Sequence, residues 1–334
     1  MNIVDQSISS LEKRGYRLPS CRGIRSRTAA VAESLTSRGP ARLLMAEETY
    51  ELVRHHRLLP EFSGVGSFLE KRILSWTNDP PHLPPIPPIR SGFIVMPEAQ
   101  TALAKKPAWL RGIRGDLQMH SNWSDGSGSI RDMAEAALQR NYESISITDH
   151  SKGLKIGGVN EDQLKRQAEE ISEIDRSLKD SGKKLGVLRS IELNLNPCGQ
   201  GDMDQTIFAE LDIVLGCFHS SLRKMEDQTE RYLAALRNPV IQILGHPRGR
   251  IYNYRLGLSA DWPRIFGTAA ELDKALEINA YPDRQDLSPD LVALAKKAGC
   301  RMSLVLTRMG LPSFPSYTWR PPLQCWQASN GNEF

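Results

Sequence analysis

Residues 115–126, GDLQMHSNWSDG, place His120 and Asp125 within one short turn, directly after a segment of alternating apolar residues. Four further residues with metal-binding chemistry each close a predicted strand: His150 in SISITDH, Glu192 in RSIELN, His219 in LGCFHS and His246 in ILGHP. Imidazole nitrogens and carboxylate oxygens are the groups that hold zinc and the harder divalent ions. Each residue alone has a plain structural use. His150 after Asp149 could cap a helix start, His246 before Pro247 could sit in a turn, and Glu192 could be a surface acid. Jointly these uses explain little, because the chain has only seven histidines and four of them, His120 included, close predicted strands in the same way. Strand, ligand and helix in repetition is the pattern of a multi-metal site on a barrel, whose strands all end on one face.

The elements that must position these groups are legible from residue 115 onward. Candidate strands are DLQMH, SISIT, GVLRSIEL, DIVLGCFH, VIQILGH, ALEINA and RMSLVL, with helices between them over 130–140, 161–178, 228–237, 262–269 and 289–298. Seven strands alternating with helices predict a parallel, barrel-like α/β fold. A doubly wound open sheet is the alternative, although no glycine-rich dinucleotide fingerprint follows any strand.

Upstream, residues 1–78 read as a small all-α domain, with Ile24, Ala29, Val31, Ala32 and Leu35 at roughly helical spacing and EETYELVRHHRLL as a further helix. Gly64 and Gly66 flank Val65, and the helical pattern Phe68, Leu69, Ile73, Leu74 follows at once. Two glycines let a backbone approach a phosphate closely, and the next helix offers free N–H groups and a positive dipole end. Lys71 and Arg72 add charge. This stretch resembles a helix-hairpin-helix motif, which implies non-specific binding to the DNA backbone. Residues 79–110, containing DPPHLPPIPPIR and KKPAWL, predict a semi-extended linker, since prolines this dense continue neither a helix nor a central strand.

The 334 residues, 40% hydrophobic and 25% charged, have the composition of an ordinary soluble globular protein of one or two domains. No apolar run approaches the roughly 20 residues that span a bilayer. The N-terminus lacks the apolar segment of a secretory signal, so a cytoplasmic location is expected. Five scattered cysteines without a CxxC pair argue against a disulfide framework and against a zinc knuckle, and Cys217 reads as a small buried hydrophobe. The net charge is +4, and the surplus falls within residues 1–110, where it would favour a polyanion.

Residues 111–304 resemble a PHP (polymerase and histidinol phosphatase) domain, through the motifs quoted above in the same order. Together with the helix-hairpin-helix stretch, the chain resembles parts of bacterial family X DNA polymerases without the polymerase palm. The resemblance implies a distorted seven-stranded β/α barrel with up to three divalent ions, zinc or manganese. It assigns His120, Asp125, His150, Glu192, His219 and His246 as their ligands, Glu192 bridging two ions. It also implies Asp149 as an orienting partner, and Arg248 and Arg250, with Lys152, Arg223 and Arg284, as phosphate-holding candidates. The implied chemistry is phosphoester hydrolysis, on a phosphomonoester or on DNA 3′ ends, with DNA as a partner.

Two departures bear on that expectation. Gln118 stands where the family opens its first motif with the first His of H-x-H, and no D-x-H pair follows RMSLVL. Fewer than three ions and impaired hydrolysis are therefore expected. The alternatives are a DNA-binding protein with a degenerate PHP domain, and a histidinol-phosphatase-like phosphomonoesterase. Residues 305–334, rich in Pro and Trp, read as an out-of-frame tail. Codons taken one nucleotide earlier, from the last base of Leu304 through Gly310, can spell Gly-Thr-Asp-Ala-His-Gly, which restores the missing pair.

Overall fold

The computed structural model describes residues 86–154 and 157–305, together with the isolated positions Ser67 and Lys71, both helical and exposed. Gly64, Gly66 and Arg72 of the helix-hairpin-helix stretch, residues 79–85 of the proline-rich segment and the tail after Val305 lie outside the described residues.

Seven strands form one sheet in chain order: β1 (Gly115–Met119), β2 (Ser144–Ile147), β3 (Gly186–Asn194), β4 (Ile213–Cys217), β5 (Ile243–Leu244), β6 (Ala275–Asn279) and β7 (Arg301–Val305). Every neighbouring pair is parallel, and β1 comes back to lie beside β7. The result is a nearly closed α/β barrel, as the alternation predicts. The strand written VIQILGH is much shorter than expected, pairing only at Ile243 and Leu244. The chain then turns inward, and His246 stands two residues beyond the strand end.

Helices cover the outside: α1 (Met96–Lys105), α2 (Ile130–Gln139), α3 (Glu161–Asp180), α4 (Thr229–Arg237), α5 (Trp262–Glu271) and α6 (Pro289–Lys297). Their starts are written locally. The Ser129 hydroxyl accepts from the Asp132 amide at 3.2 Å and the Asp132 carboxylate accepts from the Ser129 amide at 3.0 Å, a reciprocal cap on α2. Asn160 and Gln163 do the same for α3. Such a cap contributes about 1 kcal/mol. Ile130, Met133, Ala134 and Ala137 form the buried stripe of α2 at helical spacing and pack with Ile145 and Ile147 of β2. Ile191, Leu193, Val214, Leu244, Leu276 and Ile278 face the other helices in the main core. Side chains alternate across a strand, so the intervening positions Glu192, Cys217 and Glu277 are directed into the barrel. No helix among the described residues is long and apolar enough to cross a membrane.

The proline-rich segment is not a free linker from Pro88 onward. It forms a short 3-10 helix (Pro88–Arg90), α1 and a second 3-10 helix (Pro107–Gly112), and Ala99 and Leu103 enter the main core. Prolines sit in the first turns of all three helices, where their missing N–H costs nothing. The segment is clamped by polar contacts as well. Gln285 accepts from the Ile94 amide at 2.8 Å and donates to the Ile94 carbonyl at 2.9 Å. The buried Arg250 guanidinium donates to the carbonyls of Gly92 (3.0 Å), Arg284 (3.1 Å) and Gln285 (2.8 Å) and lies 4.0 Å over the Phe93 ring.

Arg250→Ala removes a buried charged donor from three carbonyls and should destabilise the fold by about 3 kcal/mol. Chemical denaturation of the full chain measures this, and an unchanged midpoint would show that the clamp contributes nothing.

Candidate metal centre

The turn after β1 is built by two local devices. Gly126 follows Asp125 because any Cβ there would collide with the His120 and Ser121 carbonyls. The buried Asp149 carboxylate then draws the turn against β2. It accepts from the Ser121 amide at 2.8 Å, the Ser121 hydroxyl at 2.6 Å, the Ser124 hydroxyl, and Gln167 Nε2 of α3 at 2.6 Å. Burial pushes the Asp149 carboxyl up, while its hydroxyl and amide donors pull it back. Asp149 thus orients the turn that carries His120 and Asp125.

Glu192 is the centre of the site, 1% exposed. Its Oε1 lies 2.7 Å from His219 Nε2 and 2.9 Å from His246 Nε2. Its Oε2 accepts from Gln118 Nε2 at 2.7 Å and lies 3.1 Å from His120 Nε2 and 3.6 Å from His150 Nδ1. Asp125 Oδ1 is 3.5 Å from His150 Nε2 and 3.7 Å from His120 Nδ1. All six residues expected as ligands from the sequence are therefore gathered at one place. Their rings touch in series, with centroids 4.3 Å apart for His120 and His150, 5.5 Å for His150 and His219, and 5.2 Å for His219 and His246.

The electrostatics follow from this crowding. Burial alone would raise the Glu192 carboxyl, but hydrogen bonds from His120, His219 and His246 hold it well below the usual range. Burial opposes charge on His120 and His246 as well, yet contact with Glu192 leaves both imidazoles raised. His150 is depressed to about 4 by burial, with the charges of His120 and His219 adding to the effect.

The donor set fits a divalent ion. Three groups have ligand atoms within 4.8 Å of one another: His120, Asp125 and His150; His150, Glu192 and His219; and Glu192, Cys217 and His246. The buried Nδ1 atoms of His120 and His150 have no hydrogen-bond partner, the state of a ring nitrogen waiting for a ligand.

Two residues in the site, Asn194 and Glu277, were not singled out from sequence, and a third, Cys217, read only as a small buried hydrophobe, is buried as expected. Asn194 Oδ1 lies 3.2 Å from His219 Nδ1 and orients that ring. It stands two residues beyond Glu192, the spacing that keeps side chains on one face of a strand. Glu277, fully buried, accepts from the His246 amide at 3.0 Å, while its Oε1 has no partner. Burial, reinforced by the nearby Glu192 charge, pushes its carboxyl up to about 7. The signal for it was an acid flanked by Leu276 and Ile278 inside the strand ALEINA. Cys217 lies between the two carboxylates, and Gly245 is required opposite it because a Cβ would strike the thiol.

The cationic candidates fare differently. Arg250 cannot hold a substrate phosphate, because its guanidinium is committed to the clamp on Gly92, Arg284 and Gln285. Lys152 is paired with Glu161 at 2.6 Å, and Arg284 lies 3.9 Å from Asp283. Arg248 donates from Nη2 to the Leu256 carbonyl at 3.2 Å, and its Nε has no partner. Arg223 donates to the Tyr254 carbonyl at 3.3 Å and remains at the surface. Of the DNA-contact candidates only Lys71 is described, exposed and remote in sequence from the centre.

The profile of the PHP domain matches residues 116–281. The DNA polymerase/3′-5′ exonuclease PolX of Bacillus subtilis (strain 168) is 38% identical over 189 residues, covering 56% of this chain and 32% of the relative. The probable phosphatase TTE1963 of Caldanaerobacter subterraneus subsp. tengcongensis is 23% identical over 184 residues, covering 53% of this chain and 68% of the relative. The crystal structure of histidinol phosphate phosphatase from Lactococcus lactis subsp. lactis Il1403, complexed with zinc, L-histidinol and phosphate, aligns with a TM-score of 0.40 at 18% identity, covering 57% of this chain and 84% of that one. The match thus spans about a third of the PolX relative's length. Profile, motif order and barrel geometry agree, and residues 116–281 of this chain are a PHP domain.

Proposed function

We propose that the chain is a metal-dependent phosphoesterase, with DNA 3′ ends as the finer reading of its substrate and with hydrolysis impaired relative to its family. One observation carries the proposal: four imidazoles converge on the buried Glu192, the Asp125 carboxylate lies against two of them, and two of the ring nitrogens are buried without hydrogen-bond partners. His120, Asp125, His150, Glu192, His219 and His246 would hold zinc or manganese, which supplies Lewis-acid chemistry suited to phosphoester hydrolysis. The chain's own contribution is positioning. Asn194 sets the His219 ring, Asp149 sets the first turn, and Glu277 holds the His246 backbone. Arg248 and Arg223 stand beyond the strand ends and are the cations placed to meet a phosphate.

Impairment is supported by Gln118. Its neutral amide takes a Glu192 oxygen at 2.7 Å, where an imidazole would otherwise offer a ligand nitrogen. With no D-x-H after β7 either, we expect at least one ion per chain but fewer than three. The similarity to PolX, whose name includes a 3′-5′ exonuclease, and the positive surplus of residues 1–110 support DNA as the partner. Gly64, Gly66, Lys71 and Arg72 are the proposed backbone contacts. The alternative of a DNA-binding protein with a degenerate PHP domain shares every feature except turnover. We further propose that residues 305–334 are out of frame, because the codons read one nucleotide earlier can restore the missing D-x-H pair.

Glu192→Gln should lower the metal content of the purified chain, measured by elemental analysis, by at least about tenfold. It should also remove manganese-dependent hydrolysis of p-nitrophenyl phosphate. Unchanged metal content and unchanged hydrolysis together would overturn the metal-site reading.

Metal affinity should fall steeply with acid, because ligand imidazoles must be neutral. His120 and His246 have raised values, so the loss should begin above the ordinary histidine pKa of about 6.5. The sign reverses in the metal-free chain. There the raised histidines contribute stability that is full below about pH 6.5 and is lost as pH rises through their folded values. Competition with a chromophoric chelator at pH 6 and pH 8, beside thermal melts in chelator, reads both effects.

If the tail is out of frame, the codons of Leu304 and Leu306 both end in G. Sequencing the gene decides this, and any other third base at either codon excludes it.

A further inference from the structure

The loops after β4 and β5 carry a surface that the metal centre does not use. Only five large hydrophobic side chains are exposed among the described residues, and three of them, Met225 (74%), Tyr254 (59%) and Leu256, fall in these two loops. Single exposed apolar groups need no explanation, but a cluster beside a site does. The loops are joined to each other and to the site. Arg223 lies four residues beyond His219, and its guanidinium sits 4.4 Å over the Tyr254 ring while Nη1 donates to the Tyr254 carbonyl. The second loop starts from His246, whose carbonyl accepts from the Gly249 amide at 3.0 Å.

The same loops are crowded with cations. Arg248 and Arg255 hold the carbonyls of Leu256 and Gly249, and none of Arg223, Arg248 and Arg255 is in an ion pair among the described residues. Burial lowers the Arg255 pKa, with the neighbouring charges of Arg284 and Arg223 lowering it further and Asp286 opposing them. The nearby acids are otherwise engaged. Asp286 accepts from the Arg248 and Arg250 amides, and Glu226 pairs with Lys224 at 2.9 Å. An exposed aromatic ring backed by a guanidinium and flanked by unpaired arginines matches a ligand with a flat π-face and an adjoining phosphate. A sugar phosphate has the second feature and lacks the first.

We infer that Tyr254 and Arg223 form a stacking platform for a base of a single-stranded nucleic-acid end, with Arg248 and Arg255 facing its phosphates. The inference rests on the phosphoesterase reading of the adjoining cluster and names the residues that would recognise a nucleic-acid end there. A ring contact of this kind tolerates any base, because every base has a π-face. The platform therefore selects nucleotide ends over other phosphate esters without selecting sequence.

The test is titration of the full chain with a phosphorothioate dinucleotide carrying 2-aminopurine at its 3′ end, too short to engage distant surfaces. Wild type should quench the fluorophore through stacking. Tyr254→Phe should keep affinity within about twofold, and Tyr254→Ala should weaken it by about tenfold. Leu272→Ala, an exposed apolar change at the end of α5, serves as the surface control and should bind as wild type. Equal binding by Tyr254→Ala and wild type, or equal loss in Leu272→Ala, would overturn the platform. Hydrolysis of p-nitrophenyl phosphate by wild type is scored separately. Its absence alongside Tyr254-dependent quenching supports the platform and counts against the phosphoesterase reading alone.

Discussion

A carboxylate buried inside a barrel is costly unless it is paired, and Glu192 is where this fold meets that cost. Five side-chain nitrogens from four elements and their following loops gather around its two oxygens. Three of those groups are in turn fixed by something else. Asn194 fixes His219, Glu277 the backbone of His246, and Asp149 the turn that carries His120. The same convergence that compensates Glu192 brings ligand atoms within reach of a shared ion. Compensation of a buried charge and assembly of a metal site are here one arrangement.

The barrel makes the convergence possible without long-range design in any single element. Parallel strands in chain order deliver every strand end to one face. β3 contributes Glu192, and the residues just past β1, β2, β4 and β5 contribute the imidazoles. The two-residue β5 is the extreme case: its pairing ends at Leu244 so that Gly245 and His246 can turn inward against Cys217 and Glu277. Gln118, in β1, meets Glu192 with a neutral amide rather than an imidazole.

Outside the centre, arginines divide into two kinds by what they face. Arg250 faces main-chain carbonyls and a ring, and it ties the segment after Pro88 to the barrel. Arg223 donates to a carbonyl of the neighbouring loop and Arg248 to one of its own loop, yet both stay at the rim. Position beyond a strand end does not separate these roles; the direction of the side chain does.

The sequence alone determined the barrel class, the order of its strands and the six candidate ligands, because each is encoded by short-range pattern: alternation, caps, and a His, Asp or Glu at or near a strand end. It did not reveal the docking of residues 88–112, since prolines that forbid a central strand equally permit short helices, and the burial of Ala99 and Leu103 depends on partners far along the chain. Nor did it separate Arg250 from Arg248, or pick out Asn194, Glu277 and the Tyr254–Arg223 pair. Those roles are set by which carbonyl, ring or carboxylate lies opposite once the strands have closed, and only tertiary structure decides that.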